Sequence, residues 1–296
     1  MNAVVEHYAI GDLANKIAAA LQAAGKDLDK LVAEDLASID EFHIRGRAAT
    51  LELGTRMGLR AQSHMLDIGG GLGGPARTLA SVYGCKVTGI DLSIEFCDTA
   101  NALSRWVGLA DRVVFRQGDA TALDVVEGGF DAAMTLHASM NIAAKGAVYA
   151  GVHKALKPDG IFAVYDILKG EGGEVLFPVP WARRAEISHL VTAGEMRGLL
   201  EGAGFQIVHE EDSTEAGQAW FKRVAAKLAS SDKPPVSLRE FLGADAAQMT
   251  QNQVRNLSER RIRTVTFICR RQAAHAGRTR SESACLEGGR PHGLFR

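Results

Sequence analysis

The sequence contains no uninterrupted apolar run of about 18 residues, so no membrane-spanning helix is expected. Cysteine is scarce. Cys85, Cys97, Cys269 and Cys285 lie far apart, with no CxxC pair and no Cys/His group at zinc-like spacing. That excludes a disulfide framework and leaves no expectation of a metal centre. A reducing, cytoplasmic setting fits such usage. Residues 1–10 include Glu6 and no apolar core, so they do not read as a signal peptide. An excess of either charge is missing too: 34 Lys and Arg stand against 35 Asp and Glu, a net charge of -1. No electrostatic footprint for nucleic acid or an anionic membrane follows from that balance. Small molecules are the expected partners. What is present is apolar mass: 46% hydrophobic residues over 296, enough for one large α/β domain with an attached cap.

Residues 1–60 carry a helical rhythm. Leu13, Ile17 and Leu21, then Leu28, Leu31 and Leu36, recur at helical spacing, with Gly25 as punctuation. A second short unit runs from Asp40 to Leu59. From His64 the rhythm changes to strands alternating with helices: strands at 65–68, 86–90, 113–116, 130–136 and 161–167, with a helix over 142–156 and a turn at Lys157-Pro158-Asp159-Gly160. Such alternation predicts a parallel sheet with right-handed crossovers. Further on come a helix at 194–204, a strand at 205–209 and a last strand at 261–269. Residues 212–259 read as a helical insertion lying over the sheet, and 168–180 as a Gly- and Pro-rich loop. The polar, Gly-rich stretch 272–296 lacks periodicity and reads as a disordered tail.

The sharpest feature is Asp67-Ile68-Gly69-Gly70-Gly71-Leu72-Gly73-Gly74, a buried strand running into six residues of which only Leu72 is not glycine. Glycine lets the backbone turn tightly and approach a ligand with no Cβ in the way, and the following helix then offers unpaired N–H groups. Pro75 suits the first turn of that helix. A nucleoside cofactor is the expected ligand. Gly69, Gly71 and Gly74 satisfy G-x-G-x-x-G, and Asp91 lies about twenty residues on, so taken alone the turn also fits a nicotinamide dinucleotide and an NAD-dependent oxidoreductase. Asp67 tips the balance. A carboxylate directly before the glycines repels a pyrophosphate and attracts an ammonium group. Asp119, after the third strand, supplies an acceptor for a base amino group.

Together, residues 65–74, 87–93, 118–120 and 156–160 resemble the successive motifs of the class I S-adenosylmethionine-dependent methyltransferases, in order and at the usual spacing. Asp159 stands where that family more often has a second glycine. The resemblance covers roughly 45–270. It implies a Rossmann-like, mostly parallel seven-stranded sheet with helices on both faces, plus the N-terminal helical cap over 1–60 and a catalytic domain over 61–271. It also implies S-adenosylmethionine as cofactor and S-adenosylhomocysteine as product. Gly69, Gly71 and Gly73 would line the cofactor, and Asp67 would face its methionyl end. Asp91 would hold the ribose, with Leu92 beside it in the cofactor site, Asp119 and Ala120 would hold the adenine, and Leu136 would back the methionyl group. Asp91 and Asp119 could instead simply cap the helices that follow them.

Shorter words, at 42–47, 137–141 and 177–182, look closer to the sarcosine/dimethylglycine and tocopherol/quinone-type small-molecule methyltransferases. The expected activity is methyl transfer to a small amine, with an O- or C-methyltransferase of a phenolic or quinone-like metabolite as the alternative. Holding two reactants in line in a dry pocket supplies most of the catalysis such a reaction needs. His137, after the fourth strand, is the candidate base. His43, Arg45 and Arg47 would reach over the pocket from the cap, with arginine suited to a carboxylate. Asn141 and Trp181 complete the candidate substrate site, Trp181 by packing over a methylated ammonium. For each the duller reading is a satisfied loop histidine, a solvated helix face or lid core. A homodimer is compatible with the sequence.

Overall fold

The computed structural model describes residues 3–229, 236–237 and 243–272. The expected disordered stretch 272–296 lies outside them apart from Gln272.

Seven strands form one sheet in the order β3-β2-β1-β4-β5-β7-β6. The strands are β1 (His64–Ile68), β2 (Lys86–Asp91), β3 (Val113–Gln117), β4 (Phe130–Leu136), β5 (Leu156–Lys169), β6 (Phe205–Asp212) and β7 (Ile262–Arg271). The first five pair in parallel, and β7 lies antiparallel between β5 and β6. Its insertion there distinguishes the sheet from the all-parallel order 3-2-1-4-5-6 of dinucleotide-binding folds.

Alternation along the strands explains the layering, because successive side chains point to opposite faces. Met65, Val87, Val113 and Phe115 bury one face against α4 (Arg47–Met57), α5 (Gly74–Tyr83) and α6 (Ile94–Trp106). Leu66, Ile68, Ala133, Phe162 and Phe267 bury the other against α7 (Lys145–Ala155) and α8 (Ala193–Gly202). A third cluster joins α2 (Leu13–Ala23) and α3 (Ala33–Asp40) through Leu13, Ile17, Leu21, Leu36 and Ile39 to Leu103 of α6 and Leu72 of the glycine turn. Residues 175–190 cover the carboxyl edge together with α9 (Thr214–Ala229) and α10 (Ala246–Ser258), packing Val179, Trp181, Ile187, Phe221 and Leu257 on Ile44, Met140 and Ile167. The short helix α1 (Ala3–Tyr8) completes the set.

Several boundaries differ from the sequence reading, with β6 running to Asp212 rather than 209 and β7 to Arg271 rather than 269. The turn at 157–160 is a bulge inside β5: Phe130 pairs with Leu156 and Ala132 with Ile161, so three extra residues are looped out, with Asp159 at φ +60°. The helix expected over 142–156 starts at Lys145, after a single 3-10 turn at Ser139–Asn141. The loop expected from 168 starts at 170, because β5 pairs with β7 as far as Lys169.

Candidate functional site

Where the strand order reverses between β1 and β4, the carboxyl ends open on a cavity of about 990 Å³. That is the position at which open α/β sheets take their ligands. Its floor is the turn after β1. Gly69, Gly71 and Gly73 all have positive φ (+67°, +54° and +77°), a conformation that penalises any side chain. Their surroundings differ. An added Cβ on Gly71 would meet only Phe96, at 4.0 Å, so its backbone stands open to the cavity. On Gly69 it would lie 2.5 Å from Ala138 Cβ. On Gly73 it would lie 2.7 Å from Phe115, away from the cavity wall. The expected lining role of Gly73 is thereby corrected: it caps α5 and makes room for Phe115, while Gly70 and Leu72 stand on the wall beside Gly69 and Gly71.

Asp67 sits beneath this turn, 2% exposed, and its Oδ2 has no hydrogen-bond partner among the described residues. Burial, reinforced by Asp91 and Glu41 and opposed by Arg77, pushes its carboxyl up to about 8. Asp91 at the end of β2 accepts from the Gly71 N–H (2.9 Å, Oδ2) and the Ser93 N–H (2.9 Å, Oδ1), tying the glycine turn to the start of α6. Burial raises its carboxyl as well. Leu92 lines the cavity beside it. Asp119 lines the cavity with Ala120 and also accepts from the Thr121 N–H at 2.8 Å, so it is a wall residue and a cap at once.

His137 follows β4 in the left-handed region (φ +47°), held by its N–H on the Tyr165 carbonyl at 2.8 Å. Its ring lies 4.9 Å from that of Tyr165 and 5.9 Å from that of His43, and Nε2 is buried with no partner among the described residues. Burial and the neighbouring His43 hold it well below the ordinary histidine range, so the imidazole is neutral. Leu136 precedes it on the same wall.

The candidates from the cap are already engaged. His43 Nε2 lies 3.0 Å from the Gly46 carbonyl, and burial lowers its pKa to about 4. Arg45 Nη2 donates to Glu52 at 2.6 Å, and Arg47 donates to Thr78 Oγ1 at 2.5 Å and to Glu34. Asn141 donates to the carbonyls of Trp181 (2.7 Å) and Ile187 (3.0 Å), which makes it a strut under the covering segment. Trp181 is 1% exposed and donates from Nε1 to Ser188 Oγ at 3.0 Å, as lid core would.

Sequence reasoning missed the polar groups behind the floor. Arg77 is wholly buried, donating to Asp40 Oδ2 at 2.7 Å, the Ala100 carbonyl at 3.0 Å and the Leu72 carbonyl. Burial pushes Asp40 up to about 7 despite that pairing. Glu41 accepts from Thr50 (2.7 Å) and Thr78 (2.6 Å), and Ser139 donates to the buried Asp166. The side-chain pairs Arg77–Asp40, Thr78–Glu41 and Ser139–Asp166 are 27–37 residues apart, so no local pattern announces them.

A parallel sheet with one antiparallel strand beside β5, a glycine turn at its switch point and carboxylates at the carboxyl ends of β1, β2 and β3 form a cradle suited to a nucleoside cofactor with a cationic end. Residues 65–160 match the methyltransferase domain family. Over that stretch the chain is similar to the class I S-adenosylmethionine-dependent methyltransferases. It is 27% identical over 186 residues to a sterol 24-C-methyltransferase of Neurospora crassa, an alignment covering 60% of this chain and 48% of that protein. The chain therefore spans about half the length of the curated relatives it matches. Among solved structures, it is similar to a protein of Galdieria sulphuraria described as a sarcosine dimethylglycine methyltransferase, with TM-score 0.61, 18% identity, and 76% of this chain and 84% of that chain covered. It is also similar to a geranyl diphosphate methyltransferase, with TM-score 0.62, 16% identity, and 76% and 85% covered.

Proposed function

We propose that the protein transfers the methyl group of S-adenosylmethionine to an apolar small molecule of isoprenoid type, at carbon. The residues present fit the cofactor. Asp67, with an unpartnered carboxylate oxygen under the turn, would take its ammonium group. Gly71 leaves the backbone approach unobstructed, Asp91 and Leu92 would hold the ribose, and Asp119 and Ala120 the adenine. When bound, the cofactor supplies an electrophilic methyl group on a sulfonium.

The observation that carries the choice of acceptor is the rest of the cavity. Beyond the glycine turn its wall includes Ile44, Met140, Ile167, Trp220, Phe221 and Met249, with Arg183, His189 and Gln253 beside them. The arginines expected to grip an amino-acid carboxylate are paired with Glu52 and Glu34. An apolar wall stabilises an apolar guest by about 25 cal/mol per Å² buried and gives a carboxylate nothing in exchange for its water. Relatives that act on sterols and geranyl diphosphate support the same choice. Methylation of an alkene carbon leaves a proton to be removed. His137 is suited to take it at Nε2, being neutral and shielded from bulk water.

The carboxylate of Glu41 on the inner wall favours a second reading, in which a small amine of the sarcosine type is methylated. Incubating the protein with methyl-labelled S-adenosylmethionine and a panel of isoprenoid alkenes, phenols and small amines tests both. Label extracted into organic solvent with an isoprenoid, on a new carbon–carbon bond, is expected. Label found with the amines alone would overturn the isoprenoid reading.

A further inference from the structure

A methyl transfer that ends in deprotonation leaves a proton inside the cavity, and His137 alone is badly placed to keep it. Its Nε2 is buried without a partner among the described residues, and a positive charge on the ring is opposed by burial and by His43. Behind it stands a line of polar groups that the cofactor cradle does not use. The His43 ring is edge-on to that of His137, with centroids 5.9 Å apart and planes at 74°. His43 Nε2 lies 3.0 Å from the Gly46 carbonyl, which only accepts, so Nε2 carries the hydrogen and Nδ1 the free electron pair. The same Nε2 is 3.3 Å from Thr50 Oγ1, and Thr50 donates to Glu41 Oε2 at 2.7 Å. Glu41 Oε2 is itself 3.7 Å from His43 Nε2, and the other carboxylate oxygen accepts from Thr78 at 2.6 Å.

One tight turn brings these groups together. The Gly46 N–H donates to the His43 carbonyl at 3.0 Å, Gly46 (φ +48°) starts α4, and Thr50 follows on that helix's first turn. Glu41, His43 and Thr50 are all buried, at 6%, 7% and 0% exposure. Glu41 and His43 also line the cavity, whereas Thr50 stands behind its wall. Burial makes the Glu41 carboxyl hold a proton more readily than an exposed one, and makes the His43 imidazole hold one less readily. The imidazole is therefore a conduit and the carboxylate a destination. A buried hydroxyl joining the two completes a connected network, in which moving one hydrogen shifts the next.

We propose that His43, Thr50 and Glu41 form a relay that carries the proton of the reaction away from His137. The S–C bond of the donor breaks, the bond to the acceptor forms, and the positive charge of the sulfonium reappears as the proton that the acceptor loses to His137. His137 hands a proton to Nδ1 of His43. His43 gives its Nε2 hydrogen to Thr50 Oγ1, and the hydrogen of Thr50 moves to Glu41 Oε2. One proton has then passed from acceptor to Glu41, both imidazoles are neutral, and no charge is stranded beside the product. Glu41 lines the cavity, so water entering after the product has left takes the proton. The relay rests on His137 as the base of the proposed methyl transfer, and it serves a carbon or an ammonium acceptor alike, since both release a proton. Thr50 is a positioning residue that acts through His43 and Glu41.

Two variants of Thr50 separate transfer from packing. Thr50→Val keeps the shape and deletes the hydroxyl, whereas Thr50→Ser keeps the hydroxyl and deletes a methyl group. Single-turnover methyl transfer to the isoprenoid alkenes and small amines of the panel above is followed with the full chain in H2O, D2O and their mixtures. It is run at pH 9, above the Asp67 midpoint near 8, so that Asp67 is ionised in every variant. Thr50→Val should slow transfer about ten- to hundredfold with affinity for S-adenosylhomocysteine unchanged, and Thr50→Ser should stay within about twofold of wild type. The rate should fall along a curve with deuterium content in the wild type and Thr50→Ser, because several hydrogens move together, and along a straight line in Thr50→Val. Nitrogen-15 spectra of the ligand-free protein should show His43, identified by its loss in His43→Gln, with its hydrogen on Nε2. Thr50→Val at the wild-type rate, equal losses in the two variants, or a His43 hydrogen on Nδ1 would overturn the relay and leave methyl transfer standing. Transfer by the wild type to none of these acceptors would overturn both.

Discussion

Replacing Asp67 by Asn should change how cofactor affinity depends on pH more than it changes the fold. The carboxyl titrates near 8 because it is buried beside Asp91 and Glu41 with Arg77 as the nearest opposing charge. Below that pH it holds a proton, and it must give the proton up to face an ammonium group. Affinity for S-adenosylhomocysteine therefore rises with pH and levels off above about 8. Each pH unit below the midpoint costs about 1.4 kcal/mol, so from pH 7.5 to 5.5 the wild type should lose affinity toward roughly a hundredfold. Asp91 and Glu41 are also raised and contribute to any residual slope, but they do so in both proteins. The difference between wild type and Asp67→Asn isolates the one carboxyl. Calorimetry in buffers of different ionisation enthalpy checks it directly, with about one proton released on binding at pH 6.5 by the wild type and fewer by the variant. A linked stability effect has a definite sign. The folded protein keeps a proton that the unfolded chain has already lost, so the wild type loses stability as pH rises from about 4 to 8. Asp67→Asn should accordingly melt above the wild type at pH 9 without ligand. Equal pH slopes in the two proteins would refute this account of Asp67.

Gly71→Val should abolish cofactor binding in calorimetry while costing the ligand-free fold only about 1–2 kcal/mol for its positive φ, because the new side chain enters open cavity. Gly73→Val, by contrast, must displace Phe115, and its melting temperature should fall further. Arg77→Met leaves Asp40 buried without its cation and should cost about 3–5 kcal/mol by denaturant melting, much of it recovered in the double variant with Asp40→Asn. His137→Asn tolerates the left-handed backbone and should lower turnover about 10²–10⁴-fold with cofactor affinity unchanged; equal losses in both would argue against a base. Titration with NADH should give no binding where S-adenosylhomocysteine binds.

The sheet was legible in the sequence because its signal is local. Strands such as Met65–Ile68 and Phe130–Leu136 are short apolar runs, and the glycine turn and Ser93, which caps α6 on the Phe96 N–H, announce the helices that follow. The bulge at Lys157–Gly160 carries all the residues of a turn, and only pairing on both sides absorbs it into a strand. Site residues were legible to the extent that backbone chemistry dictates them. Gly73 resembles its neighbours in sequence, and only Phe115, 42 positions on, decides that it faces away from the cavity. Arg45 and Arg47 looked available because Glu52 and Glu34 become their partners only after the cap folds. The acceptor pocket was the least legible, since its apolar wall draws single residues from Ile44 to Met249.

Leu72 is the one residue of the glycine turn with a side chain, and that side chain is buried among Leu13, Ile17, Leu36 and Ile39 of the helices that precede the sheet. Its carbonyl is held by Arg77, whose guanidinium also binds Asp40 at the end of α3. A shortened protein starting near residue 60 would keep every recognisable motif and still present a collapsed or wandering cofactor loop, with an apolar side chain and a buried cation both stripped of their partners. Exchanging the first sixty residues with those of a relative, as in a chimera, would retune affinity for a ligand those residues need not touch.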